Sequence, residues 1–351
     1  LTSAGGYDVF VAKIDASGTY LWATQAGSTS SGTGYGLSTL SDGSAIVTGV
    51  FQGTATFGST TLTSAGGNDV FVAKIDASST YVWATQAGGT STDNAYDIST
   101  LSDGSAIVTG YFQGTATFGS TTLTSAGSRD VFVAKIDASG NYVWATQAGG
   151  TSADDSAAIS TLSDGSAIVT GYFEGTAAFG STTLTSAGSK DVFVAKIDAS
   201  GNYLWATKVG STSNDVGRAI STLSDGSAIV TGYFEGTAAF GSTTLTSAGS
   251  QDVFVAKVVS APGAPTSASA TAGDAQATIS WSAPSSNGGA AITSYTATAS
   301  PGGATCTTSS TSCTITGLAN GTSYTFTVKA TNSQGTSAAS SPSAAVSPTA
   351  P

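Results

Sequence analysis

Residues 1–27 read LTSAGGYDVFVAKIDASGTYLWATQAG, and the same phrase returns almost verbatim at Leu62, Leu123 and Leu184, then in shortened form at Leu245. The period is 61 residues. A repeat that long and that faithful declares a modular architecture before it declares a ligand. Within each unit, DVFVAKID (Asp8 to Asp15) and YLWATQAG (Tyr20 to Gly27) read as two strands about the turn ASGT. LSTL (Leu37 to Leu40) and AIVTGVF (Ala45 to Phe51) read as two more about an Asp-Gly turn. QGTATFGSTTLTSAGG then supplies a minor hairpin or an extended excursion into the next DVFVAKID. No segment carries a helical period.

These strands are apolar on both faces. Val9 and Val11 point one way while Phe10, Ala12 and Ile14 point the other. Such a sheet needs cover on both sides, which sheets stacked like blades supply. Four strands plus a small hairpin per unit make an all-β β-propeller the economical reading of residues 1–259. Trp22, Trp83, Trp144 and Trp205 recur at one slot and are expected to pack between blades, as are the recurrent phenylalanines.

The phrases DVFVAKIDASGNYLWAT (from Asp191), DGSAIVTGYFEGTAAFG and LTSAGSKD resemble the bacterial seven-bladed beta-propeller repeat family over residues 1–258. Its Asp-x-Phe-Val-x-Lys, Gly-Asn-x-x-Trp and Asp-Gly-Ser elements carry the likeness. The resemblance implies an exported or surface-attached bacterial scaffold with no catalytic residue to transfer. The opening segment supplies a hairpin without LSTL and AIVTG partners before it and the last unit lacks its Trp strand, so both ends carry a DVFVAK strand. A five-bladed ring with a redundant strand, repeats missing upstream, and completion between chains through blade edges all remain open.

After Val259 the pattern stops. Residues 260–265 read as a linker, and residues 266–348 resemble a fibronectin type III β-sandwich through Trp281, Tyr295 and the Leu318/Tyr324 corner. Residues 349–351 read as a tail. Cys306 and Cys313 are expected to form a local disulfide between neighbouring strands joined by a short turn, which fits an oxidising, extracellular or cell-surface setting. The chain opens in mid-pattern and reads as a mature or excised piece of a longer polypeptide.

Composition narrows the function. With 21 acids against 10 bases and a net charge of -11, nucleic acid is a poor partner. No apolar run is long enough for a membrane-spanning helix. The absence of His removes the commonest acid–base group, and Glu174 and Glu235 fill a slot held by Gln52 and Gln113 elsewhere, which points to a solvent-facing position rather than catalysis. Where near-identical copies differ, the scaffold does not dictate the residue. One variable slot holds Tyr7, Asn68, Arg129, Lys190 and Gln251; the other, around 31–37, 92–98, 153–159 and 214–220, holds Tyr35, Asp93, Asn94, Tyr96, Asp97, Asp154, Asp155, Asn214, Asp215 and Arg218. Both are read as loops on one face, candidates for multivalent adhesion to a surface glycan or protein, so replacing Asp154 and Asp155 by Ala is expected to leave folding intact. The alternative is a structural subunit of a filament, sheath or surface layer, and a polysaccharide hydrolase is a third reading. No cofactor is expected beyond calcium, for which Asp93, Asn94, Asp97, Asp154, Asp155 and Asp215, or the turns at Asp137 and Asp198, offer oxygens without a full ligand spacing.

Overall fold

The computed structural model describes residues 1–351 and contains strands but no helix. Contacts divide it into two units, Leu1–Thr222 with Ile229–Ala256, and Leu223–Ala228 with Lys257–Pro351.

In the first unit the repeat folds into antiparallel meanders. Ser31–Thr39, Ala45–Gln52, Asp69–Ile75 and Tyr81–Gly89 pair in that order. The next copy repeats the order with Asn94–Thr100, Ala106–Phe112, Asp130–Ile136 and Tyr142–Gly150. Asp155–Thr161, Ala167–Phe179, Thr182–Ile197 and Tyr203–Val209 form the third. Before them, Val9–Ile14 pairs only with Tyr20–Ser28; after them, Val216–Thr222, Ala228–Phe234 and Asp252–Val258 form a three-stranded sheet. The small hairpin does form, and it extends the Trp strand of the preceding sheet. Thr54–Phe57 and Thr60–Thr63 are joined to Tyr20–Ser28 through Gly27 and Ser28, and Thr115–Phe118 is joined to Gly88 and Gly89.

Successive sheets pack face to face. Val9 and Val11 lie in one core with Phe71, Ala73 and Ile75 of the next copy. Val70 and Val72 do the same with Phe132, Ala134 and Ile136, and Val131 and Val133 with Phe193, Ala195 and Ile197. The hairpin phenylalanine wedges between sheets: Phe118 stands 4.8 Å from Phe132 and 5.7 Å from Tyr142. Full burial of a Val or Phe side chain stabilises by about 1.5–3 kcal/mol, so each interface is the main source of cohesion for its pair of sheets. Between the first and last sheets no such core exists, because the outward faces of both are exposed.

The tryptophans fasten one unit to the next. Trp22, Trp83 and Trp144 donate Nε1–H to the carbonyls of Ala77, Ala138 and Ala199 at 3.1, 3.0 and 3.0 Å. The indole lies on the next unit's turn, where a Cβ on Gly140 would stand 2.7 Å from the Trp83 ring. Gly140 has φ +91, a conformation that favours glycine, while Ser79 takes φ 76 at the equivalent place under Trp22. Along the inner strands a hydroxyl ladder links the copies, Ser38 to Thr100, Ser99 to Thr161 and Ser160 to Thr222, at 2.8, 2.9 and 2.9 Å.

The second unit is a sandwich of a three-stranded and a four-stranded sheet. Its core gathers Trp281, Tyr295, Leu318, Tyr324 and Phe326. Tyr324 accepts the Ala319 N–H at 3.1 Å on its hydroxyl, which is the tyrosine corner. Residues 260–263, expected as a linker, bond within this unit: Ser260 N–H donates to Gly288 O at 2.8 Å and Gly263 N–H to Ser286 O at 2.9 Å. Ser337, Ser340 and Ser343 bond Ala330, Val328 and Phe326 through both backbone and hydroxyl, giving the last segment a three-residue period.

Cys306 and Cys313 are disulfide-bonded, with Cα atoms 6.3 Å apart. The two strands are neighbours joined by a short turn, as expected, but they do not pair with each other. Thr305–Thr308 pairs with Ser294–Ser300, whereas Ser312–Thr316 pairs with Gln276–Ser282, so the bond staples the two sheets of the sandwich. The polar stretch between them gives no hint of the change of sheet. Closing so short a loop constrains the unfolded chain by about 2–3 kcal/mol. Replacing both Cys306 and Cys313 by Ala should lower the unfolding free energy of this unit by that amount in urea titrations monitored by Trp281 fluorescence.

Candidate functional site

The two variable slots are hydrogen-bonded to each other. Asp93, Asp154 and Asp215 donate their N–H groups to the carbonyls of Asn68, Arg129 and Lys190 at 2.8, 2.9 and 2.8 Å. Sequence distance hid this adjacency, because each pair joins one sheet to the next. The second slot is also not a solvated loop: Asn94, Asp155 and Val216 open inner strands, and Asp93, Asp154 and Asp215 are fully buried just before or beside them.

Each of these aspartates caps a chain crossing. Asp154 Oδ2 accepts Gly150 N–H at 2.7 Å and Oδ1 accepts Glu174 N–H at 3.2 Å. Asp93 accepts Gly89 and Gln113 in the same way, and Asp215 accepts Ser211 and Glu235. The expectation that Asp154 is dispensable for folding is therefore overturned, since its removal strands two buried donors. Beside them, Asp69 and Asp130 accept Ala65 and Ala126 N–H, each with an Oδ1 that is buried and unpartnered. Burial pushes Asp69 up to about 6 and Asp154 up to about 7, with neighbouring carboxylates adding to the rise.

The set offered for calcium does not assemble. No three of these carboxylates converge. Asp137 and Asp198 are occupied by their own turns, accepting from Ser139 and Asn141 and from Ser200 and Asn202. Asp97 bridges two inner strands, accepting Ile98 and Ile159 N–H at 2.9 Å each.

What does converge is an aromatic and charged cleft over the third and fourth inner strands. It has a volume of about 320 Å³ and is lined by Tyr96, Asp155, Ser156, Ala157, Tyr172, Val216 and Arg218. Arg129 approaches Asp155 at 3.4 Å, donates to the Tyr172 hydroxyl, and lies over the Tyr111 ring at 4.7 Å. Tyr172 donates to Asp155 Oδ2 at 3.2 Å, and Lys190 Nζ sits 4.1 Å from the centre of the Tyr172 ring. Tyr35, Tyr96 and Tyr111 continue the row at centroid spacings of 5.4 and 5.9 Å. Arg218 lies over Tyr233 at 5.6 Å.

Asp155 is only 8% exposed and its Oδ1 has no partner, nor has Arg129 Nε. Burial holds the Asp155 carboxyl up at about 6 although Arg129 pulls it down.

Of the candidate residues, Tyr35, Asn94, Tyr96, Arg129, Asp155, Lys190 and Arg218 belong to this row; Asn94 reaches the Tyr96 hydroxyl at 3.4 Å. Tyr7 is exposed at the other end of the array, Asn68 contributes its carbonyl, and Asn214 bridges Lys190 through the backbone. Gln251 donates to Glu235 at 3.1 Å, and Lys190 approaches Glu174 at 3.9 Å, so the first slot faces the Gln/Glu slot. Sequence reasoning missed Tyr111, Tyr172 and Tyr233. The signal was present in Val50, which stands where the later copies have tyrosine.

Residues 260–346 match the fibronectin type III domain, and the second unit is such a domain. An uncharacterized WD repeat-containing protein of Acanthamoeba polyphaga mimivirus is 28% identical over 204 residues, covering 47% of this chain. The chain spans 14% of that relative's length. Among solved structures, titin kinase with its flanking domains is 26% identical, covering 25% of this chain and 17% of that one at a TM-score of 0.24. The twitchin kinase region of C. elegans is 29% identical with the same coverages and TM-score.

Acids held above their ordinary value keep more protons folded than unfolded, so between about pH 4 and 7 stability falls as pH rises. Turn acids such as Asp42 and Asp103, lowered by hydrogen bonds from Ser44 and Ser105, act oppositely and lose their contribution as pH drops below the carboxylate range. Thermal unfolding should thus peak in mildly acid buffer, with Asp154→Asn flattening the decline toward neutral pH. Asp154→Ala should destabilise the first unit by about 2–3 kcal/mol in denaturant titrations.

Proposed function

We propose that this chain is a non-catalytic, extracellular recognition protein of the bacterial cell surface. Propeller-type repeats present the Tyr96–Asp155–Arg218 cleft to a carbohydrate, and the fibronectin type III domain acts as a spacer. The observation that carries the reading is an aromatic-walled cleft of about 320 Å³ with Asp155 and Arg218 in its lining, built where the repeats stop being alike. A sugar offers an apolar face to a tyrosine ring and hydroxyl donors to a carboxylate, and a few placed polar groups on an apolar wall are what small-ligand sites use. The resemblance of the repeat phrases to bacterial propeller repeats and the WD repeat in the relative's name support the propeller reading. The fibronectin domain and its disulfide support export.

Geometry favours one cleft over several equal weak sites, because the full set of Tyr, Arg and Asp occurs only where the second, third and fourth copies meet. Glycan arrays should return binding by the wild-type chain that falls at least about tenfold, or 1.4 kcal/mol, in Tyr96→Ala and in Asp155→Asn. Silence across plant, animal and bacterial polysaccharides overturns the proposal.

A further inference from the structure

The cleft exists because one side chain is small. Three inner strands open with a bulge in which a single residue drops out of the ladder: Tyr35 between Gly34 and Gly36, Tyr96 between Ala95 and Asp97, and Ala157 between Ser156 and Ala158. A bulge leaves its extra residue unpaired and re-aims the side chain. Arg218 stands one period of 61 residues beyond Ala157, so this slot runs Tyr35, Tyr96, Ala157, Arg218 along the array. The first two rings meet edge to face with 5.4 Å between their centres. Where a third ring would follow, Ala157 leaves a gap, and the strands of Tyr96 and Arg218 flank it through the hydroxyl ladder. Its volume of about 320 Å³ lies at the small end of ligand pockets, which run from about 300 to 1,000 Å³.

Charge is distributed just as unevenly. The chain has 21 acids against 10 bases, and its two arginines both stand here, Arg218 in the cleft wall and Arg129 on the Tyr172 hydroxyl, with Lys190 over the same tyrosine ring. Arg129 is matched by Asp155 at 3.4 Å and Lys190 by Glu174 at 3.9 Å. Asp97, Asp154 and Asp215 are taken up by backbone N–H groups of the scaffold. Arg218 is the charge left over. Its side chain is exposed, it enters none of the ion pairs of the chain, and it lies over the Tyr233 ring at 5.6 Å.

We infer that the cleft takes a hexuronic acid: the sugar ring fills the gap over Ala157 with its apolar face against Tyr96, and the ring carboxylate pairs with the Arg218 guanidinium. This rests on the reading of the cleft as a carbohydrate site and names the class of sugar. The planar guanidinium fork matches a carboxylate through two parallel N–H···O bonds. A uronate carboxylate has about the bulk of the hydroxymethyl group it replaces, so it suits a gap one ring wide, whereas a sulfate ester adds a tetrahedral group to the ring.

An array tests this with the full 351-residue chain, printing oligomers of glucuronate, galacturonate, mannuronate and guluronate, each beside its methyl ester, together with neutral and sulfated sugars. Wild type should bind a free acid about tenfold or more above its ester, the advantage shrinking as salt is added. Arg218→Ala, which installs the residue that the third copy carries in this slot, should bring the acid down to the level of the ester. Ala157→Tyr restores the ring of the first two copies and should abolish binding of every sugar, with the midpoint of thermal unfolding unchanged. Esters bound as tightly as acids, or sulfated sugars preferred to uronates, overturn the inference and leave the carbohydrate reading of the cleft standing. Sugar binding that survives in folded Ala157→Tyr, or silence on every sugar, overturns both. If Ala157→Tyr does not fold, the comparison of acid with ester in wild type and Arg218→Ala decides alone.

Discussion

The repeat unit depends on the contact of a valine-bearing face with a phenylalanine-bearing face. A sheet with apolar side chains on both sides cannot present either one to water without losing much of the burial that holds it together. Val70 with Val72 and Phe132 with Ile136 are interior for that reason, and the hairpin Phe118 fills the wedge that sheet twist opens between them. Other repeated features serve this packing. The indole of Trp83 reaches over to the next turn, and the buried aspartates tie strand ends where chains cross between sheets.

A scaffold so strictly repeated leaves little room for individuality, and the cleft occupies that room. Arg129, Asp155 and Arg218 stand at positions where sibling units carry other residues, yet their backbones are fixed by the same ladder that fixes the siblings. A half-buried guanidinium is tolerable there because Asp155 and two tyrosine rings share its charge. The repeats supply position and the divergent side chains supply chemistry. The same division explains why Lys190 appears opposite Glu174, whereas Arg129, facing Gln113, turns toward Asp155.

Much of the fold was legible in the residues. The two-sided apolar pattern of DVFVAKI and the Asp-Gly turns marked antiparallel strands that need cover on both faces, and Leu318 with Tyr324 marked the sandwich. The illegible parts share one cause, which is that they depend on a neighbour in another sheet. Acidic, polar segments such as TDNAYDI look solvated by composition, but Asp93 is buried because the adjoining sheet brings Gly89 and Gln113 amides to its carboxylate. Cys306 and Cys313 lie close in sequence while their strands belong to opposite sheets. The tyrosines at 111 and 172 sit in a buried strand, and only the arginine stacked on them reveals their role.

The grip of an indole on the following unit's turn has a genetic corollary. Because each unit grips the turn of its successor, a copy inserted or deleted at any multiple of the period meets the same partner on either side, and no core has to be repacked. Recombination between near-identical coding segments can therefore lengthen or shorten the array in whole steps at little cost to folding, while the divergent cleft marks the one stretch where such an exchange would erase something that the remaining copies do not encode.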